Sequence, residues 1–206
     1  MKKIGILGGT FNPFHNGHLK MAVEAYVELK LDELLIIPSG FSYMKSDETI
    51  ADPMHRLKMA KIAVKKYPNI NVSDIEIRRE GPTYTCETIK QLRETYPDAE
   101  FYFIIGADTL FTMENWKNPR YIFKEVIIAV KQRDHIDGKN IIRQAEYLTD
   151  KYKARIIPLP GKKVWVSSNI IRYSVETNDS IRPFVPENIA RYIKRHGLYK
   201  NEKLDS

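Results

Sequence analysis

The sequence predicts an α/β fold, doubly wound, with a parallel sheet covered by helices on both faces. Two observations predict it. Short unbroken apolar runs recur at Lys3–Leu7, Leu34–Ile37, Phe101–Ile105 and Val126–Val130. They have strand length and lack the polar alternation of a half-exposed sheet, so they suit strands buried on both sides. Segments with apolar residues at helical spacing lie between them, and alternating strands and helices imply parallel pairing through crossovers. Because such crossovers are right-handed, the doubly wound form is the default.

Each element follows in order. Lys3–Leu7 (KIGIL) ends in Gly8-Gly9 and is the first strand. His18 to Leu29 carries Leu19, Ala22, Val23, Tyr26 and Val27 at a helical period. Leu34–Ile37 is the second strand, stopped by Pro38. Asp52-Pro53 opens a helix as N-cap and first-turn proline. Val72–Ile77 alternates and predicts a third, more exposed strand. Thr85–Tyr96 reads as a helix, Phe101–Ile105 as a strand ended by Gly106 and Val126–Val130 as the fifth strand. Asn140–Lys151 is a helix and Ile156-Ile157 the sixth strand. Two helices close the chain, Ser168–Glu176 and Pro186–Arg195, the last stopped by Gly197. The result is a single Rossmann-like domain, 1–206, with a small C-terminal helical portion at about 167–200. The stretch from Gly40 to Asp52 is polar and mixed, a long surface loop of the kind that covers a site.

The 206 residues carry 33 Lys and Arg against 26 Asp and Glu, a formal charge of +7. An anionic partner is expected: nucleic acid, a membrane surface or a phosphorylated small molecule. Basic residues are spread among acidic ones rather than clustered with aromatics, which argues against a nucleic-acid-binding module. No run approaches the roughly 18 apolar residues of a membrane span. The apolar part of MKKIGILGG is too short for a signal segment. A soluble, cytoplasmic protein without membrane contact is predicted. Cys86 is the only cysteine, so no intrachain disulfide can form, and it reads as structural.

Residues 8–18, GGTFNPFHNGH, carry the densest chemistry. In an open parallel sheet, ligands bind beyond the carboxyl ends of the strands, where the winding reverses. Gly8 and Gly9 at such an end let backbone N–H groups approach phosphate oxygens without a Cβ in the way. A helix starting near Gly17 aims its positive dipole end at the same place. His15 and His18 then lie at or just before its first turn, where both can face one anionic group. Zinc has no third ligand at an obvious spacing.

This stretch resembles the nucleotidyltransferase superfamily signature Gly-x-Phe-(Asp or Asn)-Pro-x-His-x-Gly-His. Gly9, Phe11, Asn12, Pro13, His15, Gly17 and His18 fill it. The resemblance implies that both imidazoles bind nucleoside triphosphate phosphates, with His18 the more critical at the α-phosphorus. Gly8, Gly9, Thr10 and Phe11 then belong to the ATP site. Residues 167–172, SSNIIR, are similar to the family's Ser-Ser-Thr-x-Ile-Arg. This implies phosphate contacts from Ser167 and Ser168 and a charge from Arg172 on the leaving pyrophosphate; Asn169 replaces the usual Thr. By residues alone, the same stretch is a capped helix.

Three further stretches resemble the bacterial nicotinate-mononucleotide adenylyltransferases: GPTYTCET (81–88), IIGADTLFTMENWKN (104–118) and the tail VPENIARYIKRHGLY. They imply that Thr85 holds a nicotinate carboxylate, that Gly106 and Asp108 line the ATP ribose, and that Trp116 stacks on the pyridine ring. Thr85 and Asp108 also fit simple helix caps, and Trp116 also fits a core position. The same resemblance puts Asn12, Lys45 and Arg133 at the mononucleotide, with Lys45 positioning phosphate. The implied reaction moves AMP from ATP to nicotinate mononucleotide with Mg²⁺. Phosphopantetheine adenylyltransferase or a cytidylyltransferase is the nearest rival, and homo-oligomerisation stays open.

Overall fold

The computed structural model describes residues 1–40, 50–132, 138–160 and 165–200. Its strands are β1 (Lys3–Gly9), β2 (Glu33–Pro38), β3 (Ile70–Val72), β4 (Glu100–Gly106), β5 (Val126–Lys131) and β6 (Arg155–Leu159). Its helices are α1 (Asn16–Glu28), α2 (Pro53–Val64), α3 (Thr85–Thr95), α4 (Ala107–Leu110), α5 (Pro119–Glu125), α6 (Gly138–Tyr152), α7 (Ser168–Glu176) and α8 (Glu187–Arg195). The strands form one parallel sheet in the order β3-β2-β1-β4-β5-β6. The chain winds outward from β1 through β3, then returns to the centre at β4 and winds the other way. The reversal lies between β1 and β4, where crossovers leave in opposite directions and a crevice opens at the carboxyl ends.

The unbroken apolar strands are explained by two cores. Leu34 and Ile36 of β2 pack with Ala22, Ala25, Met59, Ala60, Ile171 and Ile189 from α1, α2, α7 and α8. Their neighbours Leu35 and Ile37 point the other way, into a second cluster that includes Ile89, Leu92, Leu110, Phe123 and Leu148 from α3 to α6. Each such side chain taken out of water contributes roughly 1.5–3 kcal/mol, and a strand buried on both faces gains this at every position. Polar alternation along β2 would forfeit half of it.

Most predicted elements are present, with ends shifted by a residue or two. The third strand differs. It is Ile70–Val72, and Val72–Ile77 is not a strand over its length. Ser73 Oγ accepts from the Ile75 amide at 3.3 Å, and the Arg78 amide reaches Asp74 O at 3.0 Å. These local bonds turn the chain before the alternation can be used. Helix α4 enters the sequence reading only as the short helix that Asp108 could cap, and α5 is not among the expected elements. α5 starts on Asn118, whose left-handed φ of 51° and side-chain cap to the Tyr121 amide precede Pro119.

Candidate functional site

A cavity of about 310 Å³ opens at the switch point. Gly8, Gly9, Thr10, Phe11 and His18 line it from the β1 side, and Phe103–Gly106 from β4. Tyr84, Thr85, Trp116 and Lys117 close the far wall. A larger concavity, about 1030 Å³, lies at the β3 edge between the ends of α2 and α3. It contains neither the glycine loop nor an imidazole, so size does not mark the site here.

The histidine pair is built by the start of α1. His15 is the N-cap in extended conformation, and His18 is the third helical residue. His15 Nδ1 accepts from the His18 amide, and His18 Nδ1 accepts from the His15 amide, both at 3.3 Å. This is a capping box made from two imidazoles. An acceptor Nδ1 carries no proton, so in the neutral ring the proton sits on Nε2. Both rings therefore direct an N–H donor away from the backbone. They stack at 3.6 Å with an 18° tilt, and Phe11 and Phe14 pack against His18 at 4.8 and 5.4 Å. His15 is buried and His18 lies at the cavity surface. Gly17 makes room: a Cβ there would meet the His15 ring and Val166 at 3.0 Å.

The start of α7 is laced onto the turn before the histidines. Ser167 Oγ caps α7 by accepting from the Ile170 amide at 3.3 Å. Ser168 Oγ donates to Pro13 O at 3.2 Å, and Arg172 Nη1 donates to Asn12 O at 2.9 Å. Asn169 accepts from Arg172 Nη2 at 2.9 Å, so the departure from Thr fixes the guanidinium instead. The Asn12 side chain is buried, its Oδ1 accepting from the Ala51 amide at 3.0 Å.

On the opposite wall, Thr85 is the first residue of α3 and not its N-cap; that position is Tyr84, which makes no side-chain capping bond. The Thr85 amide is thus one of the first-turn donors that a helix leaves without an internal acceptor. Trp116 is partly buried, meeting Phe103 edge-on at 6.0 Å and 82°. Trp116 Nε1 and Ser39 Oγ, on two residues of the same cavity, are buried without a hydrogen-bond partner among the described residues. Gly106 lines the cavity. Asp108 does not: it is exposed in α4, and the N-cap there is Gly106, so the helix-cap reading of Asp108 also fails. Lys45 and Arg133 fall outside the described residues. Cys86 is buried in the α3 core.

Two residues escaped the sequence reading, one on the cavity wall and one behind it. Glu76 Oε1 accepts from Thr88 Oγ1 at 2.7 Å on the cavity wall. Burial pushes its carboxyl above the usual carboxylate range, against the opposing effects of Thr88, Arg79 and Thr83. Its backbone oxygen lies 2.3 Å from where a Cβ on Gly40 would sit, so only glycine fits there. Arg56, 1% exposed, is the other. Both sit in segments whose pattern gave no sign of a site: a supposed strand and an ordinary amphipathic helix.

A strand-end glycine loop, paired imidazoles on a helix start and a second serine-led helix define a nucleotidyltransferase architecture. The chain belongs to the cytidylyltransferase-like family, whose model matches residues 6–174. It is 40% identical to a probable nicotinate-nucleotide adenylyltransferase of Lachnoclostridium phytofermentans, over 97% of this chain and 100% of that protein. A Clostridium botulinum protein of the same name is 38% identical over 98% and 100%. Within the larger family, the chain is a member of the nicotinate-nucleotide adenylyltransferases. Its fold matches Plasmodium falciparum nicotinic acid mononucleotide adenylyltransferase complexed with NaAD, with a TM-score of 0.79 at 21% identity over 97% of this chain and 98% of that one. Among the described residues no helix is long and apolar enough to cross a membrane.

Proposed function

We propose that this protein transfers AMP from ATP to nicotinate mononucleotide, giving deamido-NAD and pyrophosphate in NAD biosynthesis. One observation carries the chemistry: two stacked imidazoles at a helix start, each accepting a backbone amide at Nδ1 and so directing its Nε2–H away from the backbone. The mononucleotide phosphate oxygen attacks the α-phosphorus. A P–O bond forms there as the bond to the β-phosphate oxygen breaks, and the electron pair leaves with pyrophosphate. The nucleophile is already anionic, so no general base is needed. Donors held in place beforehand stabilise the charge that grows on the α-phosphate.

His18, at the cavity surface, is assigned to that charge. His15 supports it and binds the β- and γ-phosphates with Ser167, Ser168 and Arg172. Gly8, Gly9, Thr10 and Phe11 hold the triphosphate, and Gly106 the ribose side, with Asp108 assigned to the ribose only from the exposed rim outside the cavity. Thr85 amide donors receive the nicotinate carboxylate, Trp116 stacks on its ring, and Asn12, Lys45 and Arg133 serve the mononucleotide. The donors around the glycine loop are N–H groups rather than carboxylates, which suits phosphate; Mg²⁺ then enters on ATP and offsets its charge. A cytoplasmic setting completes the proposal.

Purified protein is incubated with ATP and Mg²⁺ and, separately, nicotinate mononucleotide, nicotinamide mononucleotide and phosphopantetheine, reading pyrophosphate. Release is expected fastest with nicotinate mononucleotide. Equal or greater release with phosphopantetheine overturns the assignment.

A further inference from the structure

Arg56 lies on α2, with no place in the signatures, yet its side chain is among the largest fully buried ones. Its three hydrogen bonds all end on backbone carbonyls. Nη1 donates to Thr10 O at 2.7 Å, Nη2 to Gly40 O at 3.1 Å, and Nε to Ala51 O at 2.9 Å. Among the described residues it forms no ion pair, although burial opposes its charge. A guanidinium is kept in such a place when its planar fork fits a geometry that no other side chain supplies.

The three carbonyls belong to different parts of the site. Thr10 follows the strand-end glycines, Gly40 follows β2, and Ala51 precedes α2. Gly40 and Ala51 flank residues 41–49. The Ala51 amide also donates to Asn12 Oδ1 at 3.0 Å, and Arg172 takes Asn12 O at 2.9 Å. Thus two carbonyls of the turn, Thr10 and Asn12, are each held by an arginine. In a trans peptide, C=O and N–H point oppositely. With Thr10 O held by Arg56, the Phe11 N–H is directed away from Arg56. Phe11 itself holds a left-handed φ of 50°, a conformation that a non-glycine residue keeps only when its surroundings enforce it.

We propose that Arg56 is a positioning residue for nucleotidyl transfer: one buried guanidinium fixes the amide direction of the Thr10–Phe11 turn and ties Gly40 and Ala51 to it. This rests on the reading of the cavity as the ATP and mononucleotide site. The fork, not the charge alone, does the positioning, so Lys cannot replace it.

The test compares wild type, Arg56→Lys, Arg56→Gln and a remote destabilising control, Leu148→Ala, at a temperature where circular dichroism shows each folded. For both Arg56 variants, kcat is expected to fall by about 10-fold or more and KM for ATP to rise, while the control keeps both values. Kinetics within twofold of wild type in either variant overturns the proposal. If neither variant folds, the wild type decides, crystallised with a non-hydrolysable ATP analogue. Arg56 bonded to Thr10, Gly40 and Ala51, with the Phe11 N–H facing a phosphate, supports the proposal; any other arrangement there overturns it. Failure of the wild type to release pyrophosphate sinks the reading of the cavity instead, and is seen before any variant is made.

Discussion

Gly17→Ala separates the catalytic use of the imidazole pair from its structural use. A Cβ on residue 17 would lie 3.0 Å from His15 Cε1 and Nδ1, where ordinary contact begins at 3.4 Å. The ring must retreat by about 0.4 Å, because Val166 blocks the other side at 3.0 Å. The bond that His15 Nδ1 accepts from the His18 amide already measures 3.3 Å, so a retreat of that size takes it past hydrogen-bonding reach. Losing a side-chain cap costs about 0.5–2 kcal/mol. Alanine regains up to about 1 kcal/mol over glycine in helix propensity. Net stability therefore changes little, and Tm should move by only a few degrees. Catalysis has no such offset. A sub-ångström displacement of a donor pair aligned on one phosphate should lower kcat about 10-fold, within the range known for misplaced groups. The assay is pyrophosphate release with saturating substrates, alongside a thermal melt. Wild-type kcat in Gly17→Ala would refute the view that the capping box aims the imidazoles. A large drop in Tm with matching loss of activity would refute the separation of the two roles.

Other predictions follow from the same geometry. His18→Ala should lose about 10²–10³ in kcat, as for removal of one preorganised donor, with an unchanged circular dichroism spectrum; near-normal kcat would remove His18 from the chemistry. Trp116→Ala should raise KM for the mononucleotide far more than KM for ATP, and equal changes would refute stacking. Glu76→Gln should alter the pH dependence of stability. Burial raises the folded-state pKa of Glu76, so its contribution is full below the ordinary carboxylate range and is lost as pH rises through the raised value. The variant should therefore gain on wild type as pH climbs from about 4 to 8, read as a growing difference in urea midpoint. A difference that does not vary with pH would count against it.

What could be read from residues and what could not divides along the range of the forces involved. β1, β4 and β5 were legible because a strand buried on both faces must be apolar throughout. The His15–His18 site was legible because all its parts lie within one turn and one helix start. Asp52-Pro53 announced α2 through a side-chain cap, Asp52 Oδ1 accepting from the Met54 amide at 2.7 Å. The similar Asn118-Pro119 pair opens α5, from a left-handed cap residue that the pattern of residues does not announce. Arg56 could not be found this way: an arginine on an amphipathic helix looks solvated until three distant carbonyls converge on it. Glu76 was hidden by an alternation that resembled a strand, which the Ser73 side chain and the Asp74 carbonyl break by accepting from the Ile75 and Arg78 amides.

The contacts of Arg172 with Asn12 and Ser168 with Pro13 join positions 160 and 155 residues apart. On a ribosome, a nascent chain presents the histidine turn long before the helix that fastens it. Such a fragment can hold β1 and α1 and still do no chemistry. Turnover therefore waits on the meeting of two segments that leave the ribosome far apart in time.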